Sequence, residues 1–357
     1  MRRVIYLVIA VVAAAACTTT EYLEVDNLDP VLVINAQMTS GEDVHIIHLS
    51  SSSRSMVSPV PEGTVTVSIN SGAPIAAVYT PREEGYEEFS SSRFSFTDKL
   101  NPGDVVEVTG SYGALTAKAM VTVPDEPNLI DVEYNHDVKH GNAASSILGD
   151  DEYMHWWPYA EPNPYDGNAW HEIKIRFQDI PHADSYYRVR VFLQTELITP
   201  EGTDKQDGYI GMDTSSEPVL SPASSSENGI LDMIAEDSNS YCVFNDAMFQ
   251  DKEYTLKLYF QEYQVMYSRK YHDYDTGYYD EETGLWVEPD LPEGWTYKAS
   301  ILVRLYSISQ DQYIYLKALD LDDLGMLFSE PVSIPTNVEG GMGFVNVDSY
   351  KEVRMDL

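Results

Sequence analysis

The side chains with most capacity for chemistry sit in one stretch, Tyr267 to Trp295. It holds His272-Asp-Tyr-Asp-Thr-Gly277, followed by Asp280, Glu281 and Glu282. Asp273, Asp275 and Asp280 offer hard carboxylate oxygens of the kind a calcium ion takes. The order is not that of an EF-hand loop. Gly277 falls at the fifth place and Tyr278 at the place reserved for glycine. A solvated acidic turn accounts for the same residues, so no metal is assigned. Aromatic rings run through this acidity: Tyr267, Tyr271, Tyr274, Tyr278, Tyr279, Trp286 and Trp295. Rings interleaved with carboxylates can stack on sugars or anchor a peptide or protein partner. A second cluster, Trp156, Trp157, Tyr159, Tyr165 and Trp170, lies among prolines. Both clusters admit a second reading, in which the rings cap the edge of a fold. Trp156, Trp157, Tyr271, Tyr274, Tyr278, Tyr279, Trp286 and Trp295 are the candidate recognition residues.

Other constellations carry less. His45 and His48 are three apart on a strand-like run, so they point to opposite faces and cannot easily share a metal. His136 and His140 bracket Asp-Val-Lys and lack the glutamate of a zinc-protease helix. Cys242 sits in Tyr-Cys-Val-Phe, an apolar context that suits a buried inert thiol. There is no Gly-x-Ser-x-Gly elbow, phosphate loop or dinucleotide fingerprint. Carboxylates are so abundant that no glycosidase pair can be assigned. No catalytic residue or cofactor is expected, and a hydrolase acting through acidic residues is the weakest of the functional readings.

One more residue has a chemical role, and its flanks define it. Met-Arg-Arg is followed by an uncharged run from Val4 to Ala16, then Cys17. A short basic start, an apolar core and small residues before a cut make an export signal. The apolar run is too short for a membrane span of roughly 20 residues. Ala14, Ala15 and Ala16 before the cysteine resemble the lipobox of bacterial lipoproteins, although a leucine three residues before the cysteine is the commoner form. That resemblance implies that Cys17 becomes the first mature residue and carries lipid, palmitate-type acyl chains included. The alternative is an ordinary signal peptide with Cys17 incidental. Thr18 in place of aspartate resembles an outer-membrane address.

The chain has 357 residues and a formal net charge of −36. Removal of Arg2 and Arg3 leaves 20 basic residues against 58 acidic ones, a net −38. Such a body repels polyphosphates and anionic lipid surfaces, so nucleic-acid binding is disfavoured and no nucleic-acid partner is expected. The length suggests two domains. With Cys17 lipidated, Cys242 has no partner for an intramolecular disulfide.

The elements that must hold these residues are strands. Val31 to Asn35 reads as a buried strand by its compact β-branched run and Thr64 to Ile69 as a strand by its alternation, and Val44 to Leu49, Val105 to Thr109 and Leu115 to Val123 also read as strands. Ser50 to Ser53 reads as a loop, Ile75 to Tyr79 as a hairpin partner, and Asn101-Pro-Gly-Asp104 as a turn. A boundary falls at Asp125-Glu-Pro-Asn128. Beyond it, Ile130 to Tyr134, His171 to Phe177, Tyr186 to Thr195, Tyr254 to Gln264 and Ala299 to Ile308 read as strands. Asn135 to Gly167 and Thr199 to Gly208 read as irregular. Ser309 to Leu321 is the one helix, with capping-box spacing of Ser309 and Gln312. The expected fold is all-β: two immunoglobulin- or fibronectin-like β-sandwich domains, with one short helix near the C-terminus. The divisions are 1–17 for the signal and lipid-bearing cysteine, 18–29 for a spacer, 30–125 for the first sandwich and 126–357 for the second, which carries the insertions.

Several motifs in order carry a wider resemblance. Pro102-Gly-Asp-Val-Val-Glu-Val108 and Ala117-Lys-Ala-Met-Val-Thr-Val-Pro124 close the first part. Phe249-Gln-Asp-Lys-Glu-Tyr-Thr-Leu256, Ser307-Ile-Ser309 with Tyr313 and Tyr315, Ser329-Glu-Pro-Val332, Asn337 and Gly340-Gly-Met-Gly-Phe344 close the second. With the lipobox, the chain resembles the Bacteroidota outer-membrane lipoproteins classed as domain of unknown function forty-two forty-nine. The last motif departs from the usual form, in which a second apolar residue and another glycine follow. The resemblance implies a cell-envelope lipoprotein, often encoded beside a TonB-dependent outer-membrane receptor, with an accessory or ligand-capturing role. It brings no catalytic residue. A glycan or peptide is the ligand class the aromatic clusters suit, and a structural or adhesive envelope component is the alternative.

Overall fold

The computed structural model describes residues 29–53, 56–81, 91–138, 170–181, 183–214, 216–220, 239–261, 278–280, 285–287, 293–323 and 334–357. The architecture is all-β and sandwich-like, with a helix near the C-terminus. The first core lies between two sheets. One contains β1 (Val31–Thr39), β2 (Val44–Ser53), β3 (Met56–Pro59), β6 (Val78–Tyr79) and β7 (Ser92–Thr97). The other contains β4 (Thr64–Ile69), β5 (Ile75–Ala76), β8 (Val105–Tyr112) and β9 (Leu115–Thr122). Period-two alternation sends Leu32, Ile34, Ile47, Leu49, Phe94 and Phe96 inward from the first sheet. Val65, Val67, Val106, Val108, Ala117 and Ala119 meet them from the second. Each fully buried Val, Ile or Leu is worth about 1.5–3 kcal/mol, so this alternation is what specifies the sheets.

Two local readings are corrected here. The serine run is strand, because Ser50, Ser51 and Ser52 pair with Val33, Leu32 and Val31 on one side and with β3 on the other. Pairing on both edges satisfies the backbone groups that serine would otherwise draw into turns. The stretch from Ile75 to Tyr79 is not one hairpin arm. Ile75 and Ala76 pair with β4, while Val78 and Tyr79 pair with β7 of the other sheet. The chain crosses between sheets at Ala77, whose side chain packs on the core. The turn before it places Asn70 and Ser71 at φ 53° and 57°, with the Gly72 N–H donating to the Ile69 carbonyl at 2.8 Å.

The second core lies between β10 (Asn128–Val138), β11 (Trp170–Gln178) and β15 (Glu253–Gln261) on one side and β12 (Tyr186–Thr199), β13 (Gly202–Tyr209) and β18 (Thr296–Ile308) on the other. Short strands β14 (Val243–Asn245), β16 (Tyr278–Asp280) and β17 (Leu285–Val287) complete this part. Ile173, Ile175, Phe177, Leu256, Leu258 and Phe260 are wholly buried, as their alternation requires. Thr199 to Gly208 is not irregular: Gly202–Tyr209 folds back on β12 in register from Thr199↔Gly202 to Phe192↔Tyr209. Its side chains are almost all polar and exposed, so apolar patterning gave no sign of it. His136 also lies on a strand, since β10 runs to Val138. At the far end of this core, the Tyr187 hydroxyl donates to Asp179 Oδ1 at 2.7 Å, and the Asp251 N–H donates to Oδ2 at 2.8 Å. That corner ties β11 to β12.

Helix α1 (Gln310–Asp323) starts where Ser309 Oγ accepts the Gln312 N–H at 3.1 Å. Gln312 Oε1 has no partner among the described residues, so the reciprocal half of the capping box is not made. Leu316 packs on Val243, Tyr306 and Ile308 over one end of the sheet. The glycine-rich closing segment forms β19 (Val338–Glu339) on β9 and β20 (Gly341–Met342) on β1. The last strand, β21 (Val345–Asp356), then joins both halves. Val345 to Asp348 pair parallel with Ala36 to Thr39 of β1, and Ser349 to Asp356 pair antiparallel with β18. Val345 and Val347 belong to the first core, while Met355 packs against the second. Hydrogen bonding is thus continuous from β13 through β12, β18, β21, β1, β2 and β7 to β6.

Candidate functional site

The topology sends both aromatic insertions out of one end of the second sandwich. The first leaves after Val138 and returns at Trp170, and these two residues pair. The second leaves after Gln261, which pairs with Trp170 on its other side. It returns to β18 at Thr296, which pairs with Ile198 beside the β12–β13 hairpin. Gly294 lies against Pro200 at that hairpin's tip, and Trp295 is 39% exposed next to it. Trp170 is half-buried at the mouth.

A packed, hydrogen-bonded floor supports this end. His171 is buried with its ring stacked between Phe260 and Tyr134, at centroid distances of 4.7 and 5.7 Å and interplanar angles of 7°. The Tyr134 hydroxyl and His171 Nδ1 are 2.7 Å apart. On the opposite face of the same sheet, the Glu172 carboxylate accepts from Tyr259 at 2.9 Å, Asn135 at 3.0 Å and Lys174 at 3.0 Å. Burial pushes the Glu172 pKa up, but the hydrogen bonds from Lys174, Tyr259 and Asn135 outweigh it and hold the carboxyl below its usual range. Glu172 is therefore a fixed anion and not a proton donor at neutral pH. Glu217 is also buried and also committed: it accepts the Tyr254 hydroxyl on one oxygen and the Lys257 N–H on the other. The Asp213 N–H donates to the Tyr259 carbonyl at 2.7 Å. These contacts cover the open edge of β15, as a neighbouring strand would. The floor can position rings and carboxylates for recognition.

Cys17, Trp156, Trp157, Tyr271, Tyr274, Asp273 and Asp275 lie outside the described residues. Backbone register places Tyr279 opposite Trp286, Tyr278 opposite Val287 and Asp280 opposite Leu285 in a small ladder. Trp295 is the one recognition residue whose side chain is described. Among the described residues, no three His, Cys, Asp or Glu side chains gather as metal ligands. His45 and His48 do face opposite ways on β2: His45 is buried against Phe96, with Nε2 3.0 Å from the Asp98 carbonyl, and His48 is 3.2 Å from Ser91 Oγ. Burial lowers the His45 pKa, so the ring is neutral. Cys242 is 2% exposed, and burial pushes its thiol up to about 11, so it is protonated and inert at neutral pH. Sequence reading missed the Tyr134–His171–Phe260 stack. The sign was there in the alternation, since His171 shares the parity of Ile173, Ile175 and Phe177.

A comparison with family models matched residues 19–354 to the family described as Domain of unknown function (DUF4249). A comparison with curated proteins gave no match.

Proposed function

The chain belongs to the DUF4249 family, and on that premise we propose that it is a lipid-anchored binding or accessory protein of the cell envelope, working beside a TonB-dependent outer-membrane receptor in uptake. The observation that carries the reading is Cys17 behind an export signal and three alanines. The family match begins at residue 19, just beyond that cysteine. Several acyl chains at about 0.8 kcal/mol per buried CH2 hold such a body firmly at a membrane face. No helix among the described residues is long and apolar enough to cross a membrane. In this reading the protein is a Bacteroidota-type outer-membrane lipoprotein, and the insert-bearing end of the second sandwich faces its glycan or peptide ligand or the receptor.

The geometry of that end supports a recognition role, because two aromatic insertions share it and a stacked, hydrogen-bonded floor fixes their roots. The adhesive alternative would use open strand edges. The β13 edge argues against it, since Asp204, Lys205 and Asp207 are exposed along it, and charges on an edge block strand addition.

The test is co-purification in mild detergent from native cells, comparing the tagged protein with a Trp286→Ala, Trp295→Ala double variant. The expected result is a receptor at stoichiometric yield with the parent and at least about tenfold less with the variant, since buried tryptophan anchors are worth 2 kcal/mol or more at interfaces. Equal yields with a normally folded variant would remove the insertion from the reading. A parent protein that purified alone would remove the receptor.

A further inference from the structure

The outer face of the sheet formed by β12, β18 and β21 concentrates positive charge on a body that otherwise has little. Nine arginines follow Arg3, and four of them, Arg188, Arg190, Arg304 and Arg354, stand on this face. Register sets Arg190 directly opposite Arg304 and Phe192 opposite Leu302. The Arg190 guanidinium lies 4.7 Å from the Phe192 ring centroid and 5.4 Å from that of Tyr209. Arg304 lies 4.9 Å from the Phe192 centroid and 5.1 Å from that of Tyr350. Two guanidiniums therefore share one phenyl ring.

Three of the four arginines have their charge or their N–H groups answered. Arg304 Nε donates to Glu352 Oε2 at 2.6 Å. Arg354 bonds Gln194 at 2.6 Å and Asp356 at 3.2 Å, and pairs with Glu196 at 3.5 Å. Arg188 Nε donates to the Tyr241 carbonyl at 3.1 Å and feels the Asp348 charge. Arg190 differs. No carboxylate among the described residues pairs with it, and its Nε is buried without an acceptor. Like charges directly opposite on a sheet are destabilising, and aromatic stacking offsets that only in part. An anion between the two guanidiniums would answer the opposition of the two cations.

We propose that Arg190 and Arg304, with the exposed ring of Tyr209, form a binding site for a small monocarboxylate carrying a ring or other apolar body. The guanidinium fork of Arg190 is free to take two carboxylate oxygens side by side. Tyr209 is 47% exposed, so its ring offers an apolar surface beside the fork. Charge selects the size and valence of the ligand. A polyanion would meet the long-range repulsion of a body at net −38, whereas a single carboxylate at contact range is screened from it beyond about 8 Å. A phosphate dianion would also be repelled more strongly than a carboxylate by Glu352, which lies against Arg304. This site stands apart from the aromatic insertions and does not depend on the lipid anchor.

The probe is benzoate, with neutral benzamide and inorganic phosphate as comparators. All are titrated into the full mature chain by calorimetry, with thermal melting alongside. Benzoate is expected to bind, and Arg190→Gln to weaken it about tenfold or more, while Arg190→Lys keeps part of the affinity. Benzamide and phosphate should bind at least tenfold more weakly than benzoate. Without ligand, Arg190→Gln is expected to melt at or above the parent temperature, because it removes one of two opposed cations. Equal benzoate affinity in parent and Arg190→Gln would overturn the site, as would benzamide or phosphate binding as well as benzoate. A lowered melting temperature with unchanged titrations would make Arg190 a structural residue only.

Discussion

Gly343→Ala is expected to destabilise the protein by more than about 4 kcal/mol, beyond the range of ordinary point substitutions. Gly343 lies between β20 and β21 at φ 105°, where a side chain is strained in any surroundings. The surroundings are also closed. A Cβ there would stand 2.2 Å from the Ile34 carbonyl oxygen, 2.8 Å from its carbon and 2.9 Å from Asn35 Oδ1. Those are backbone atoms of a central strand and a side chain that already accepts the Phe344 N–H at 3.0 Å, so neither can give way. Displacing the segment would also break the Asn337 amide contacts to Val345, at 2.6 and 2.9 Å, and unseat the start of β21. Urea unfolding followed by circular dichroism checks this. Gly113→Ala is the control, because Gly113 has φ 59° with nothing within 4 Å of a Cβ. It should cost only the left-handed strain of roughly 1–2 kcal/mol. Similar losses for the two variants would show that the closing segment is not held tightly against β1.

The second large effect concerns pH. Asp348 is wholly buried at the point where β21 passes from β1 to β18. Thr39 Oγ1 donates to its Oδ1 at 2.9 Å, while Oδ2 has no partner among the described residues. Burial pushes its carboxyl from 3.8 up to about 6, against the pull of Thr39, Gln37 and Arg188. The folded protein therefore holds this proton more tightly than the unfolded chain does. Its stabilising contribution is full below pH 3.8 and is lost as pH rises through about 6. The loss amounts to about 3 kcal/mol, at roughly 1.4 kcal/mol per pKa unit. Asp348→Asn keeps an acceptor for Thr39 and cannot ionise. Its stability relative to the parent should rise across that window, from near zero at low pH to about 3 kcal/mol at pH 7.5, in urea titrations at successive pH values. A difference that stayed flat with pH would mean the buried carboxyl titrates as it would in water.

Much of this fold was legible where a local period decided burial. Thr64 to Ile69, the Ile173, Ile175, Phe177 face and the Leu256, Leu258, Phe260 face were each set by alternation over a few residues. The Ser309 cap could be read because its partner, Gln312, is three residues away. What failed to show depends on distant pairing. Serines 50 to 53 become strand because β1 and β3 flank them, and Gly202–Tyr209 because β12 does. The Thr39–Asp348 contact spans 309 residues, so no local pattern announces that the last strand binds the first. The arginine face divides in the same way. Arg188, Arg190 and Phe192 alternate visibly in the sequence, but Arg304 and Tyr350 join them only through the register of three strands. Of the recognition aromatics, sequence composition picked out the segments, and the topology adds that both leave from one end of the second sandwich.

The central claim is that a lipid on Cys17 tethers this body to a membrane face. Intact-mass analysis of the mature protein from native membranes, with radiolabelled palmitate fed to the cells, tests it most directly. The expected species starts at Cys17, carries diacylglyceryl and acyl mass on that residue and incorporates label, whereas Cys17→Ala is unlabelled and leaves the membrane fraction. A mature protein that starts elsewhere without lipid, or a Cys17→Ala variant that stays labelled and membrane-bound, would contradict the anchor and the envelope role built on it.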